Sequence, residues 1–218
     1  MALWTYPLMQ IDLLKELLIG ALQNPLPGKE AHLHMSPQPV DMRRFSEKIP
    51  DNHRKSGVLL LFYPEAGNGF FPLIKRPVYS GVHSGQVALP GGKVEPSDPD
   101  VVFTALREAE EEIGIDAEKV EVLGRLSDLY IPTSNFLVSP VIGFLSNTPS
   151  FIPEQKEVSR IIRTEVHAIF QPEIKKRTHL ELGKGMRLDT PYFEIDGEIV
   201  WGATAMILSE LLHLLEVK

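Results

Sequence analysis

Between Arg107 and Ile115 the chain reads Arg-Glu-Ala-Glu-Glu-Glu-Ile-Gly-Ile, with four glutamates in five residues between an arginine and a glycine. Val102, Phe103, Leu106, Ala109 and Ile113 recur at helical spacing, so the acidic run shares its helix with an apolar stripe. A helix turns about 100° per residue, which gathers Glu108, Glu111 and Glu112 on one narrow face. Three carboxylates held that close repel one another, and a helix selected for stability alone would avoid them. Hard divalent cations such as Mg²⁺ prefer oxygen ligands of this kind and also bind substrate phosphates, so the face points to metal-dependent phosphate chemistry. A merely solvated charge face would not require the arginine, the apolar spacing and the glycine in fixed order. Glu110 points away from the cluster and reads as solvated.

The helix is punctuated at both ends. Asp98 is expected to cap its amino end, Pro99 to fill the first helical position and Asp100 to favour the positive end of the dipole, with Gly114 as the stop. Upstream, an amphipathic helix is expected over Gln10 to Leu22, then a Pro-, Gly- and His-rich loop or arm from Asn24 to Pro39. Apolar runs bounded by turn residues predict strands at Gly57–Tyr63, Phe70–Arg76 and Gln86–Leu89, the first two forming a hairpin. Strands are expected again at Val120–Leu126, Phe136–Phe144 and Val158–Arg163. A short helix at Val166–Phe170, a hairpin through Lys176–Arg187 and Pro191–Ile195, and a helix from Ala203 to Leu215 complete the pattern. Strands with a few interspersed helices predict an α/β sandwich, and 218 residues suit one well-buried domain.

Composition narrows the partners. A net charge of −7 and the absence of a basic patch with interleaved aromatics argue against nucleic acid, while a bound metal could still invert the local charge for a small phosphorylated substrate. No apolar run approaches membrane-spanning length, and the amino-terminal stretch, interrupted by Asp12, Lys15 and Glu16, reads as a surface helix and not as a signal peptide. With no cysteine there are no disulfides, thiolate metal sites or cysteine nucleophiles, which fits a reducing cytoplasm.

The run from Arg107 to Ile115 resembles the box of the Nudix hydrolases, Gly, five residues, Glu, seven residues, then Arg-Glu-apolar-any-Glu-Glu-any-Gly-apolar. Every position of the second half matches. The first half is one residue longer, with fourteen residues between Gly92 and Arg107 in place of thirteen, and Asp98 stands where the box has its early glutamate. The resemblance implies a Nudix fold, a mixed sheet sandwiched between helices, over residues 51–218; it does not explain residues 1–50, which are expected as a helix and arm packed on that domain. It also implies Mg²⁺ or Mn²⁺ held by Glu108 and Glu112, with Glu111 next, and a backbone contribution from Gly91-Gly92. Arg107 is expected to pair with Asp98 and fix the loop to the helix. The general base is left open between a glutamate of the cluster, such as Glu111, and a later loop residue, Glu157 or Glu154.

The flanking residues are similar to the coenzyme A pyrophosphatase branch of that family: Lys75-Arg76, His83-Ser84-Gly85-Gln86-Val87, Pro90-Gly91-Gly92, the lengthened box with Asp98, Thr104-Ala105-Leu106-Arg107-Glu108, and Ile199 to Ala205. That likeness implies hydrolysis of the diphosphate of coenzyme A or acyl-CoA, with Arg76, Lys75 and His83 as phosphate contacts. ADP-ribose, a dinucleotide or a nucleoside triphosphate is the alternative substrate. A non-catalytic nucleotide sensor is the alternative of another class, against which the complete carboxylate set argues. Trp201 and Tyr192 read either as base-stacking surfaces or as core. The stripe Ile207, Leu208, Leu211, Leu212 and Leu215 reads as core packing or as a homodimer interface.

Overall fold

The computed structural model describes residues 9–78, 84–182 and 186–216. Among the described residues, the helices α1 (Ile11–Ala21) and α2 (Gly28–His34) and a 3-10 turn (Met42–Phe45) precede the first strand. Then come β1 (Arg54–Glu65), β2 (Asn68–Lys75), β3 (Val87–Ala88), β4 (Gly91–Lys93), α3 (Val101–Ile113), β5 (Glu121–Arg125), β6 (Leu129–Ile131) and β7 (Phe136–Phe144). The chain continues through β8 (Arg160–Glu165), α4 (Val166–Ile169), β9 (Lys175–Leu182), β10 (Met186–Ile195), β11 (Glu198–Trp201) and α5 (Gly202–Glu216).

Strand β1 organises the layers. It runs parallel to β7 and antiparallel to β2 and β4, so the main sheet is mixed. Successive side chains of a strand point to opposite faces. Leu59, Leu61 and Tyr63 accordingly share a buried cluster with Ala105, Ala109 and Ile113 of α3. Leu60 and Phe62 turn the other way and pack with Leu14 and Leu18 of α1 and Leu208 and Leu211 of α5. A Cβ at Gly57 would run into the α3 backbone at Val101 and Ala105, so glycine there sets how closely helix and strand approach. This is the α/β sandwich expected, a mixed sheet between helices, with β9, β10 and β11 forming a separate three-stranded sheet.

Several expected elements change. The stretch between Asn24 and Pro39, expected to be a loop or a packed arm, contains the helix α2, held by contacts from α5. The three-residue strands β4 and β6 fall in segments where the sequence predicts no strand, because strands this short are defined by their partners β1 and β7 and not by any periodicity of their own. The stripe on α5 is spent inside the chain: Ile207, Leu208, Leu211 and Leu212 are buried and Leu215 packs against the same core. Among the described residues no helix is long and apolar enough to cross a membrane.

Candidate active site

Helix α3 begins two residues later than the sequence suggests. Asp100, not Asp98, is its N-cap, accepting the Phe103 N–H at 2.8 Å, and Pro99 lies before it. Asp98 is thereby left to the loop. Its fully buried carboxylate accepts from Arg107 Nε at 3.1 Å and Nη2 at 3.0 Å, from Thr104 Oγ1 at 2.8 Å and from the Glu95 N–H at 2.9 Å. The two-pronged arginine pair holds the Asp98 carboxyl well below the usual carboxylate range, and Asp98 raises the Arg107 guanidinium further above its own. The same guanidinium donates to Glu108 Oε1 at 3.0 Å and to Glu111 Oε2 at 3.1 Å, so one cation ties the loop to two carboxylates of the helix.

Glu112 is the deepest of the set, 2% exposed. Its Oε2 accepts the Gly91 N–H at 2.8 Å, and Arg76 Nη2 stands 3.7 Å from its Oε1. Burial pushes Glu112 up to about 7 in spite of those two partners, and Glu108 and Glu157 add to the rise. Glu108 is also raised, by burial first, then by Glu111 and Glu157, with Arg107 opposing. Strand β4 brings the backbone against this face. A Cβ on Gly92 would overlap the Glu108 carboxylate where it stands, so glycine lets the carboxylate keep this position and a larger residue would displace it.

The carboxylates line a cleft of about 630 Å³. On one side of β4 it crosses β1 and β7 to β6, past Ser56, Phe136, Ile131 and Arg44; on the other it reaches Val87, Trp201 and Ile207. The loop between β7 and β8 is bound to the end of α3 by Ile152 N–H to Ile113 O at 2.9 Å and Glu154 N–H to Glu112 O at 2.9 Å. That loop carries Glu157 to the cleft, exposed, while Glu154 is not among the lining residues.

Of the residues singled out from sequence, Arg76, Gly91, Gly92, Arg107, Glu108, Glu111, Glu112 and Glu157 come together here. Lys75 does not. Its ammonium pairs with Glu198 at 2.7 Å, outside the lining. His83 lies outside the described residues. Trp201 lines the cleft and Tyr192 does not. Arg44, Thr133, Ser134 and Phe136 also line the cleft without having been singled out: the first three come from turns with no periodic pattern, and Phe136 opens a strand whose pattern marks the strand and not its place at the cleft.

Among the described residues no three acidic or histidine side chains already converge in metal-binding geometry, Arg107 and Arg76 answering the carboxylate charge instead. The donor set still fits a hard divalent cation. Three carboxylates share a helix face, two of them are raised by burial and mutual repulsion, and the facing strand is cleared of a Cβ.

The NUDIX domain family matches residues 53–182. The chain is 31% identical over 172 residues to NudL of Photorhabdus laumondii, an uncharacterized Nudix hydrolase, covering 78% of this chain and 90% of that protein. It is 32% identical over 180 residues to NudL of Yersinia pestis, covering 80% and 86%. Among solved structures, RenU, a Nudix hydrolase from M. smegmatis, superposes with a TM-score of 0.45 at 20% identity over 56% of this chain and 81% of that one. The match over more than half of the chain, and relatives aligned over most of their length, establish that this protein belongs to the Nudix hydrolase family.

Proposed function

We propose that this Nudix hydrolase cleaves the central diphosphate of coenzyme A or acyl-CoA, giving 3′,5′-ADP and 4′-phosphopantetheine or its acylated form. The observation that carries the reading is the seating of Asp98. The lengthened box, the feature shared with the coenzyme A branch, folds with Asp98 as the anchor of Arg107, so the extra residue is accommodated with the arginine clamp intact.

Glu108, Glu111 and Glu112 would hold Mg²⁺ or Mn²⁺. Such an ion, when bound, neutralises diphosphate charge and lowers the pKa of a water for attack on phosphorus. The protein's own part is positional. Arg107 and Asp98 fix the loop against α3, and the Gly91 N–H orients Glu112. Arg76 places positive charge beside the carboxylates, where a diphosphate oxygen would sit. Glu157, which lines the cleft and whose charge acts on both Glu108 and Glu112, would accept the proton of the attacking water. The wing of the cleft toward Val87, Trp201 and Ile207 offers an apolar wall for the pantetheine arm, and the wing toward Phe136 and Ile131 receives the nucleotide.

Incubating the protein with Mg²⁺ or Mn²⁺ and a panel of coenzyme A, acyl-CoA, ADP-ribose, a dinucleotide and a nucleoside triphosphate, with products identified by mass, tests the assignment. Coenzyme A should yield 3′,5′-ADP. Intact coenzyme A beside cleaved ADP-ribose would remove the substrate reading and leave the hydrolase.

A further inference from the structure

The 3-10 turn Met42–Phe45 lies outside the matched domain, yet it packs on β6 and contributes Arg44 to the cleft. Two adjacent arginines occupy this turn and only one is answered. Asp41 caps the turn through the Arg43 N–H at 3.2 Å and takes the Arg43 side chain in a fork, at 2.9 Å from Nε and 2.7 Å from Nη2. The half-buried Arg44 side chain makes no hydrogen bond or ion pair with any described residue. Burial works against its charge and lowers its pKa from the usual arginine value, with Asp41 opposing. A guanidinium partly withdrawn from water without a carboxylate partner is costly to the fold, and it faces the cleft that receives an anionic substrate.

Strand order gives the span. Arg44 stands over β6, which pairs with β7, which pairs with β1, which pairs with β4 beside the carboxylates. Three strand spacings come to about 14 Å. The arginine side chain takes up part of that distance, leaving room for a nucleoside between the two charged ends.

We propose that Arg44 binds a second anionic group of the substrate, a phosphate monoester on the nucleotide's ribose, and so sets the preference of the site. This rests on the coenzyme A reading, in which that group is the 3′-phosphate. Arginine suits the role because its fork matches phosphate oxygens two at a time. The turn is positioned to hold it: the arm is bridged to β10 through Gln38 N–H to Asp189 O at 2.8 Å and Asp189 N–H to Gln38 O at 3.2 Å.

The test compares the full chain with Arg44→Ala and Arg44→Lys. With Mg²⁺ present, kcat/KM for coenzyme A should fall about tenfold or more in Arg44→Ala, mostly through KM, and by clearly less for 3′-dephospho-coenzyme A. Arg44→Lys, which keeps the charge but not the fork, should lie between. Equal losses on the two substrates would overturn the proposal while leaving the coenzyme A reading in place. Calorimetric binding of 3′,5′-ADP against AMP needs no turnover and judges Arg44 even if coenzyme A is not cleaved. Wild type should prefer 3′,5′-ADP and Arg44→Ala should lose that preference; absence of the preference in wild type, or its survival in the variant, overturns the assignment. Unchanged thermal unfolding of the variants excludes a general loss of structure.

Discussion

Glu112 is buried where its charge is least welcome, and burial raises its pKa to about 7 against the pull of the Gly91 N–H and Arg76. Glutamine keeps the shape and an oxygen for that N–H while removing the charge. Glu112→Gln should therefore leave the unfolding midpoint of the metal-free protein unchanged or higher. Hydrolysis should fall more than about a hundredfold, since even partners one shell behind a metal ligand cost 10–100-fold when removed. Initial rates with Mg²⁺ beside a thermal melt decide it, and near-wild-type rates would take Glu112 out of the ligand set. At this scale the sequence is readable wherever spacing fixes geometry. Helical period places Glu108, Glu111 and Glu112 on one face and sends Glu110 outward, where its carboxylate accepts the Ala117 N–H. It is unreadable where the deciding partner is remote. Lys75 looks like a phosphate contact until the strand 123 residues later brings Glu198 to it. Asp98 and Asp100 both satisfy the rule for a cap, and only the closing of the loop onto Arg107 separates them.

The same distinction governs whole elements. Helix α3 announces itself through its stripe and its stop, whereas α2 is short, opens behind a proline and carries little apolar periodicity. What stabilises α2 is Glu210 on α5, fully buried, which accepts the Gly28 N–H at 3.1 Å, the Ser127 N–H at 3.1 Å and pairs with His32 Nε2 at 2.9 Å. Burial pushes the Glu210 carboxyl up, but the His32 and Ser127 hydrogen bonds outweigh it and its pKa is lowered. A carboxyl with a folded-state pKa below its unfolded one contributes stability fully present above the ordinary glutamate value and lost as pH falls through the folded pKa. Glu210→Ala, which strands three donors, should cost about 3 kcal/mol near neutrality. The gap from wild type should narrow as pH falls below about 4, which urea unfolding across a pH series would show. A gap independent of pH would mean that packing, not the carboxylate, fixes the arm.

At the scale of the molecule, the matched domain and the physical core do not coincide. The family match ends at residue 182, but Met206, Ile207, Leu208 and Leu211 of α5 lie at the centre of the larger cluster, and Ile11, Leu14 and Leu18 of α1 close it from outside. Sequence patterning suggests a helical extension laid on a finished domain, because α1 read alone is simply an amphipathic surface helix. The apolar face it covers is assembled from β1, β2, β5 and α5, which no local window displays together. Burying three such side chains is worth about 6 kcal/mol at about 2 kcal/mol each. Against the 5–15 kcal/mol typical of a whole domain, that is too large a share to remove. A chain shortened to residues 51–218 should thus lose cooperative unfolding and expose apolar surface, detected as a broadened melt and raised binding of a hydrophobic dye. A sharp melt within a few degrees of the full chain would show instead that residues 1–50 are an accessory. Arg44 gives the outcome a functional side: if the shortened chain does fold, it should still cleave its substrate but no longer distinguish coenzyme A from 3′-dephospho-coenzyme A.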